Sequence, residues 1–119
     1  MSKETEAVAR ERAERFLRES GNYTDPYERE KLVRDWAQKG DVAERVVEDV
    51  RQRAGEVRGK KVLDIGFGSG LYSVAFARAG AETHGLEVND VLFQIACENA
   101  RDAGVSADFR VYDGTTFPY

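Results

Sequence analysis

Lys61-Val62-Leu63-Asp64-Ile65-Gly66-Phe67-Gly68-Ser69-Gly70 is the stretch on which the fold turns. A short apolar run of strand length enters three alternating glycines. Leu71 to Ala79 then reads as a helix closed by Gly80. Strand, glycine loop and helix in that order build a nucleotide-type site. Glycines let the backbone turn sharply and let a ligand approach the main chain. The helix N-terminus adds unpaired N–H groups. The plain alternative is that the glycines only make a strand-to-helix turn.

Outward from this stretch the pattern repeats. Glu82 to Glu87 reads as a second strand, and Asn89 or Asp90 can cap a helix from about Val91 to Ala103, closed by Gly104. Ala107 to Tyr112 reads as a third strand, followed by Asp113-Gly114-Thr115-Thr116-Phe117-Pro118-Tyr119. Strands alternating with short helices imply βαβ units, a parallel sheet and right-handed crossovers. Glu87 stands at the end of the second strand, 19 residues after Gly68. An acid there can accept hydrogen bonds from ribose hydroxyls.

The ligand class narrows by elimination. A P-loop needs Gly-Lys-Ser/Thr, and Gly70 is followed by Leu71-Tyr72. The dinucleotide fingerprint read from Gly66 meets Leu71 at its third glycine. Read from Gly68 it meets Ser73, a mild departure, so a dinucleotide stays open.

Residues 62–70 closely resemble the first signature motif of class I S-adenosylmethionine-dependent methyltransferases: an apolar strand, an acid, any residue, then Gly-x-Gly-x-Gly. Gly85-Leu86-Glu87-Val88-Asn89 is similar to the family's second motif. Arg110-Val111-Tyr112-Asp113-Gly114-Thr115 is similar to its third, and Thr116-Phe117-Pro118-Tyr119 to its apolar-Pro-aromatic segment before strand four. The resemblance covers residues 60–119. It implies S-adenosyl-L-methionine as cofactor and methyl transfer as activity. Residue by residue, it implies that Gly66, Gly68 and Gly70 line the methionine and ribose region, with Phe67 between them or packed under the loop. Asp64 would orient the methionine end, Glu87 with Val88 beside it would hold the ribose, and Asp113 with Gly114 would read the adenine. The plain readings are a structural strand-end acid for Asp64, a solvated strand end for Glu87 and a turn for Asp113. In the family the acceptor pocket and the usual catalytic side chains lie mostly after strand four, so no catalytic residue carries over.

The first half of the chain is different in kind. Residues 1–59 hold 13 Lys+Arg and 14 Asp+Glu, against 5 and 8 in residues 60–119. Ser2 can cap a helix running to about Ser20, with Gly21 as its stop and Ala9, Ala13, Phe16 and Leu17 on one face. After a loop from Asn22, Thr24 or Asp25 can cap a second helix, with Pro26 in its first turn. Gly40 is expected to end that helix and Asp41 to start a third, bearing Val42, Val46 and Val50. The fold expected is α/β: a helical N-terminal cap or lid region over 1–59, then a three-stranded parallel Rossmann-like half-sheet over 60–119, ordered 3-2-1.

Composition sets the outer bounds. The chain has 119 residues and a formal net charge of -4, which offers no basic field to a polyanion. No apolar run approaches the length of a membrane span, and the first residues lack a signal-peptide core. A single cysteine, Cys97, and a single histidine, His84, leave no ligand set for a metal and no imidazole triad. Both read as packed or hydrogen-bonded residues, as does Trp36; Tyr23 and Tyr27 are candidates for closing a pocket. The expectation is a cytoplasmic methyltransferase part acting on a small molecule, with neither membrane nor nucleic acid as partner.

The family sheet continues past strand three, so this sequence is expected to be the front of a longer domain, and the catalytic competence of these residues alone is doubtful. The alternatives are a nucleotide-binding half-domain completed by another chain or by self-association, a module that binds without transferring, and a small helical interaction protein.

Overall fold

The structure, a computed structural model, describes residues 3–20 and 23–119. The expected Ser2 cap, Gly21 stop and Asn22 loop start lie outside the described residues. The elements are α1 (Lys3–Ser20), α2 (Pro26–Ala54), β1 (Lys61–Ile65), α3 (Leu71–Arg78), β2 (Glu82–Glu87), α4 (Asp90–Asp102) and β3 (Asp108–Val111). The chain divides into two compact units, residues 1–42 and 43–119, and the division falls inside α2.

In the first unit, α1 buries Ala13, Phe16 and Leu17, the face expected from its helical spacing. The Phe16 ring stacks on Trp36 at 5.8 Å between centroids, and Tyr23 meets Phe16 edge-on. Trp36 is therefore a packing residue. The side chain of Asp25 caps α2, its Oδ1 accepting from the Tyr27 N–H at 2.9 Å. Pro26 occupies the first helical position, where its missing N–H costs nothing.

The expected break at Gly40 does not occur: α2 runs unbroken from Pro26 to Ala54. An interior glycine costs only about 1 kcal/mol relative to alanine. The apolar stripe stays in phase across it, with Val33, Trp36 and Ala37 before and Ala43 and Val47 after. Gly40 lies on that same stripe, and no proline follows to stop the helix. Periodic burial outweighs a weak breaker.

In the second unit the three strands form one parallel sheet in the order β1-β2-β3, as expected. Asp64 pairs with Gly85, and Gly85 with Phe109; Ile65 pairs with Leu86. Helix α3 packs on β1 and β2, α4 on β2 and β3, and the two helices touch each other, so both cover one face. Right-handed crossovers require that arrangement. One core cluster joins Phe67, Val74, Ala96, Ala100 and Phe109, and a second joins Ala43, Val47, Val57, Ala75 and Ala79. Burying each large apolar side chain contributes about 1.5–3 kcal/mol. No helix of the described residues is long and apolar enough to cross a membrane.

Candidate functional site

The site is built at the carboxyl ends of the strands. Past Ile65 the Gly66 N–H donates to the Leu86 carbonyl at 2.7 Å, extending the strand pairing by one residue. The chain then turns through Gly66, Gly68 and Gly70 at φ of 72°, 59° and 80°. Three left-handed residues within five would cost roughly 1–2 kcal/mol each for any residue bearing a Cβ. Gly70 is the N-cap of α3, and its carbonyl accepts from the Val74 N–H.

The outer two glycines meet different surroundings. A Cβ on Gly66 would find nothing within 4 Å. A Cβ on Gly70 would sit 2.7 Å from Ala96 Cβ and 3.1 Å from Phe109 Cζ. The loop is open at its start and pressed against α4 and β3 at its end. Phe67, only 2 % exposed, packs beneath it with its ring 4.5 Å from that of Phe109. Gly85 admits that ring pair, since a Cβ there would lie 2.6 Å from Phe67 Cδ2.

Glu87 ties the loop to the second strand. Its carboxylate is buried, with Oε1 accepting from the Gly68 N–H at 3.1 Å. Oε2 accepts from the N–H groups of Val88 at 2.8 Å and Asn89 at 3.1 Å. Two carboxylate oxygens offer about four lone-pair directions, so one on Oε1 stays available beyond these three bonds. Asn89 then caps α4 by accepting from the Leu92 N–H at 3.0 Å. The apolar side chain of Val88 stands 58 % exposed beside Glu87.

Asp64 is half-buried at the end of β1 and accepts from the Ser73 hydroxyl at 2.7 Å. Ser73 is fully buried on the first turns of α3. Asn99 of α4 donates from Nδ2 to the Ser69 carbonyl at 2.8 Å. Ser69 itself is buried, and its hydroxyl has no partner among the described residues.

Past β3 the Tyr112 N–H donates to the Glu87 carbonyl at 3.0 Å, which brings Asp113 and Gly114 to the end of β2. A Cβ on Gly114 would touch Val88 Cγ1 at 3.4 Å. Asp113 Oδ1 accepts from the N–H groups of Thr115 at 2.8 Å and Thr116 at 2.7 Å, and from the Thr115 hydroxyl. Those backbone donors hold its carboxyl down at about 2. Asp64, the glycine loop, Glu87, Val88, Asp113 and Gly114 thus gather where ligands bind in open α/β sheets, outside the carboxyl ends of the strands.

The other singled-out residues stand apart from this chemistry. His84 lies within β2 between Glu82 at 2.9 Å and Asp108 at 3.3 Å, with the Tyr119 ring against it. Its neighbours keep the Glu82 and Asp108 carboxyls below their ordinary range: His84 chiefly for Glu82, Arg110 chiefly for Asp108. Cys97 packs beside the core cluster of Phe67 and Phe109, and burial pushes its thiol up. Tyr27 is 66 % exposed. No cluster of metal-ligating side chains occurs among the described residues. Ser73, Asn99 and Gly85 escaped the sequence reading as site residues, because each acts on a partner far along the chain. The available signals were Ser73, met as the departure from a dinucleotide fingerprint, and Gly85, which opens the segment similar to the second motif.

Known proteins place the same residues in context. Residues 62–119 match the family model described as a methyltransferase domain. A ubiquinone biosynthesis O-methyltransferase of Actinobacillus pleuropneumoniae serotype 5b is 41 % identical over 61 residues, covering 51 % of this chain and 26 % of that protein. The chain therefore spans about a quarter of the length of that relative. Among solved structures, an RNA methyltransferase from Salinibacter ruber in complex with S-adenosyl-L-homocysteine is 29 % identical at a TM-score of 0.55, over 61 % of this chain and 50 % of its own. Magnesium protoporphyrin IX methyltransferase from Synechocystis PCC 6803, with bound S-adenosylhomocysteine, shares the fold at a TM-score of 0.61 and 21 % identity, over 87 % of this chain and 45 % of its own. Residues 62–119 are thus a methyltransferase domain of the class I S-adenosylmethionine-dependent kind, whose cofactor is S-adenosylmethionine.

Proposed function

We propose that this chain is the cofactor-holding part of a methyltransferase acting on a small-molecule acceptor. The observation that carries the reading is the Glu87 carboxylate, fixed at the end of β2 by three backbone N–H groups, one of them from Gly68 of the glycine loop. A buried acid held this way spends no entropy on finding its orientation when a ligand arrives. The available direction on Oε1 suits a ribose hydroxyl. The open space in front of Gly66 leaves room for the methionine moiety, and Asp64, steadied by Ser73, offers an anion to its ammonium. Asp113, with Oδ1 committed to its own turn, has Oδ2 to accept from the adenine amino group. Val88 and Gly114 form an apolar edge for the adenine ring, and Phe67 contributes backbone only.

S-adenosylmethionine supplies an already activated methyl on a sulfonium, so the protein has mainly to align an acceptor and exclude water. The net charge of -4 speaks for a small acceptor over a polyanion. The outer edge of β1 is open to pairing by a further strand. Leu63 and Ile65, 42 % and 53 % exposed, alternate with Asp64 and so lie on the sheet face opposite α3 and α4, an apolar surface for a further layer to cover.

The test is S-adenosylhomocysteine binding to the chain by calorimetry, compared with Glu87→Ala. The variant should bind about tenfold or more weakly, the scale of a lost hydrogen bond to a charged group. Equal affinity in the two proteins would remove Glu87 from the ribose.

A further inference from the structure

Asn99 sits on α4, 30 residues beyond the loop whose Ser69 carbonyl it holds. The Ser69–Gly70 peptide is bonded at both ends: its oxygen accepts from Asn99 Nδ2 at 2.8 Å, and its N–H donates to the Phe67 carbonyl at 2.9 Å. A peptide unit is planar, so holding its oxygen and its N–H fixes the orientation of the whole plane. That plane sets the direction in which the chain enters Gly70, the left-handed N-cap of α3.

The same face of α4 sets the distance as well. Ala96 lies three residues before Asn99, so the two side chains are neighbours on the helix surface. Ala96 Cβ is the atom that a Cβ on Gly70 would strike at 2.7 Å. Helix α4 thus touches the loop twice, once by contact at Gly70 and once by hydrogen bond at Ser69. Its own start is fixed from the site, because Glu87 Oε2 takes the Asn89 N–H and Asn89 caps the helix. The loop is consequently held from the β2 side at the Gly68 N–H by Glu87, and from the α4 side at the Ser69 carbonyl by Asn99.

From this geometry we infer that Asn99 is a positioning residue for cofactor binding. It touches neither cofactor nor acceptor. It presets the plane of the Ser69–Gly70 peptide, and with it the shape of the loop, before any ligand arrives. The inference rests on the cofactor reading above. The role is specific to a donor: the Ser69 oxygen needs an N–H or O–H opposite it. A carboxylate of the same size sets acceptor against acceptor.

That specificity provides the test. Asn99→Ala deletes the bond, and Asn99→Asp keeps the volume while reversing the polarity. Near neutral pH the alanine variant should bind S-adenosylhomocysteine about tenfold more weakly than the parent, and the aspartate variant more weakly still. A space-filling role predicts the opposite order, with the isosteric aspartate the milder change. The second readout needs no ligand. In ¹⁵N–¹H spectra the Gly70 amide should shift and exchange faster in both variants, while the amides of Leu92 to Ala96 keep their positions.

An unmoved Gly70 amide, or an aspartate variant milder than the alanine one, overturns the inference. Should the parent chain bind no S-adenosylhomocysteine, the cofactor reading fails, and the Gly70 amide still shows whether Asn99 holds the loop. Should the aspartate variant not fold, Gly70 exchange in the alanine variant decides.

Discussion

Gly85→Ala isolates a steric requirement that no backbone strain obscures, because Gly85 lies in the regular strand β2 and is absent from the positive-φ glycines. The added Cβ would lie 2.6 Å from Phe67 Cδ2 and 2.9 Å from Phe109 Cδ1. Carbon atoms prefer separations of about 3.5–4.0 Å, so one ring or the other must retreat by about 1 Å. Neither has free space: Phe67 is 2 % and Phe109 8 % exposed, and they pack on each other. Overpacking of this kind costs about 1–3 kcal/mol. For a domain of this length that lowers Tm by about 4–12 °C. Differential scanning calorimetry of the parent and variant measures it. Two companions sharpen the reading. Phe67→Leu in the same chain should recover part of the loss, giving a non-additivity of about 1 kcal/mol. Gly104→Ala, at φ 67° with nothing within 4 Å of the new Cβ, carries only left-handed strain of about 1–2 kcal/mol. Phe67→Leu should leave that loss untouched. A Gly85→Ala chain melting within about 1 °C of the parent would show that the ring pair does not lie over Gly85, and would refute the packing argument.

Ser73→Ala removes the fully buried hydroxyl that donates to Asp64 at 2.7 Å, and should lower stability by about 1.5–3 kcal/mol in urea unfolding; a change below about 0.5 kcal/mol would show Asp64 satisfied elsewhere. Asp113 should titrate at about 2 by carboxyl-detected NMR, against an ordinary 3.8. Its folded value is depressed, so the stabilisation from its turn is fully present above about pH 4 and is lost as pH falls toward 2. The Thr115 and Thr116 amides should shift through that same window, and a midpoint near 3.8 would mean those N–H groups bond elsewhere in solution.

What could be read from the sequence were the features whose cause is local. The bounds of β1 and β2 follow from an apolar run and the glycines around it, and β3 came out within a residue or two. Asp25 and Asn89 were legible as caps because a cap bonds an N–H two or three residues away. Glu87 was legible beside the glycine loop because spacing along βαβ units fixes where strand ends fall, whereas Asp113 was singled out only through the resemblance to the family's third motif. Gly40 misled because a lone glycine is a weak local signal, and the burial stripe that overrides it spans residues 33 to 47. The bond made by Asn99 and the packing role of Gly85 were silent for a stronger reason. Their partners lie 30 residues away for Asn99 and 18 and 24 for Gly85. A polar residue in the last turns of a helix reads as surface, and a glycine in a strand reads only as a weak β-former.

The glycine loop therefore answers two demands that one motif conceals. Gly70 is glycine because of what lies behind it: Ala96 and Phe109 leave no room for a Cβ, and the left-handed N-cap adds strain. Gly66 has the same sign of φ, yet the space beside it is open, so packing does not require its identity. A side chain at Gly70 opposes folding, whereas a side chain at Gly66 adds to its backbone strain an obstruction on the face proposed for the ligand. Folding and binding are thus partitioned between two residues of the same type four positions apart. The braces follow the same division, with Asn99 and Ala96 acting from behind the loop and Glu87 from the end where the ligand would lie. A loop preset in this way gives up little conformational entropy on binding, so ligand contacts can appear as affinity instead of being spent on ordering the backbone.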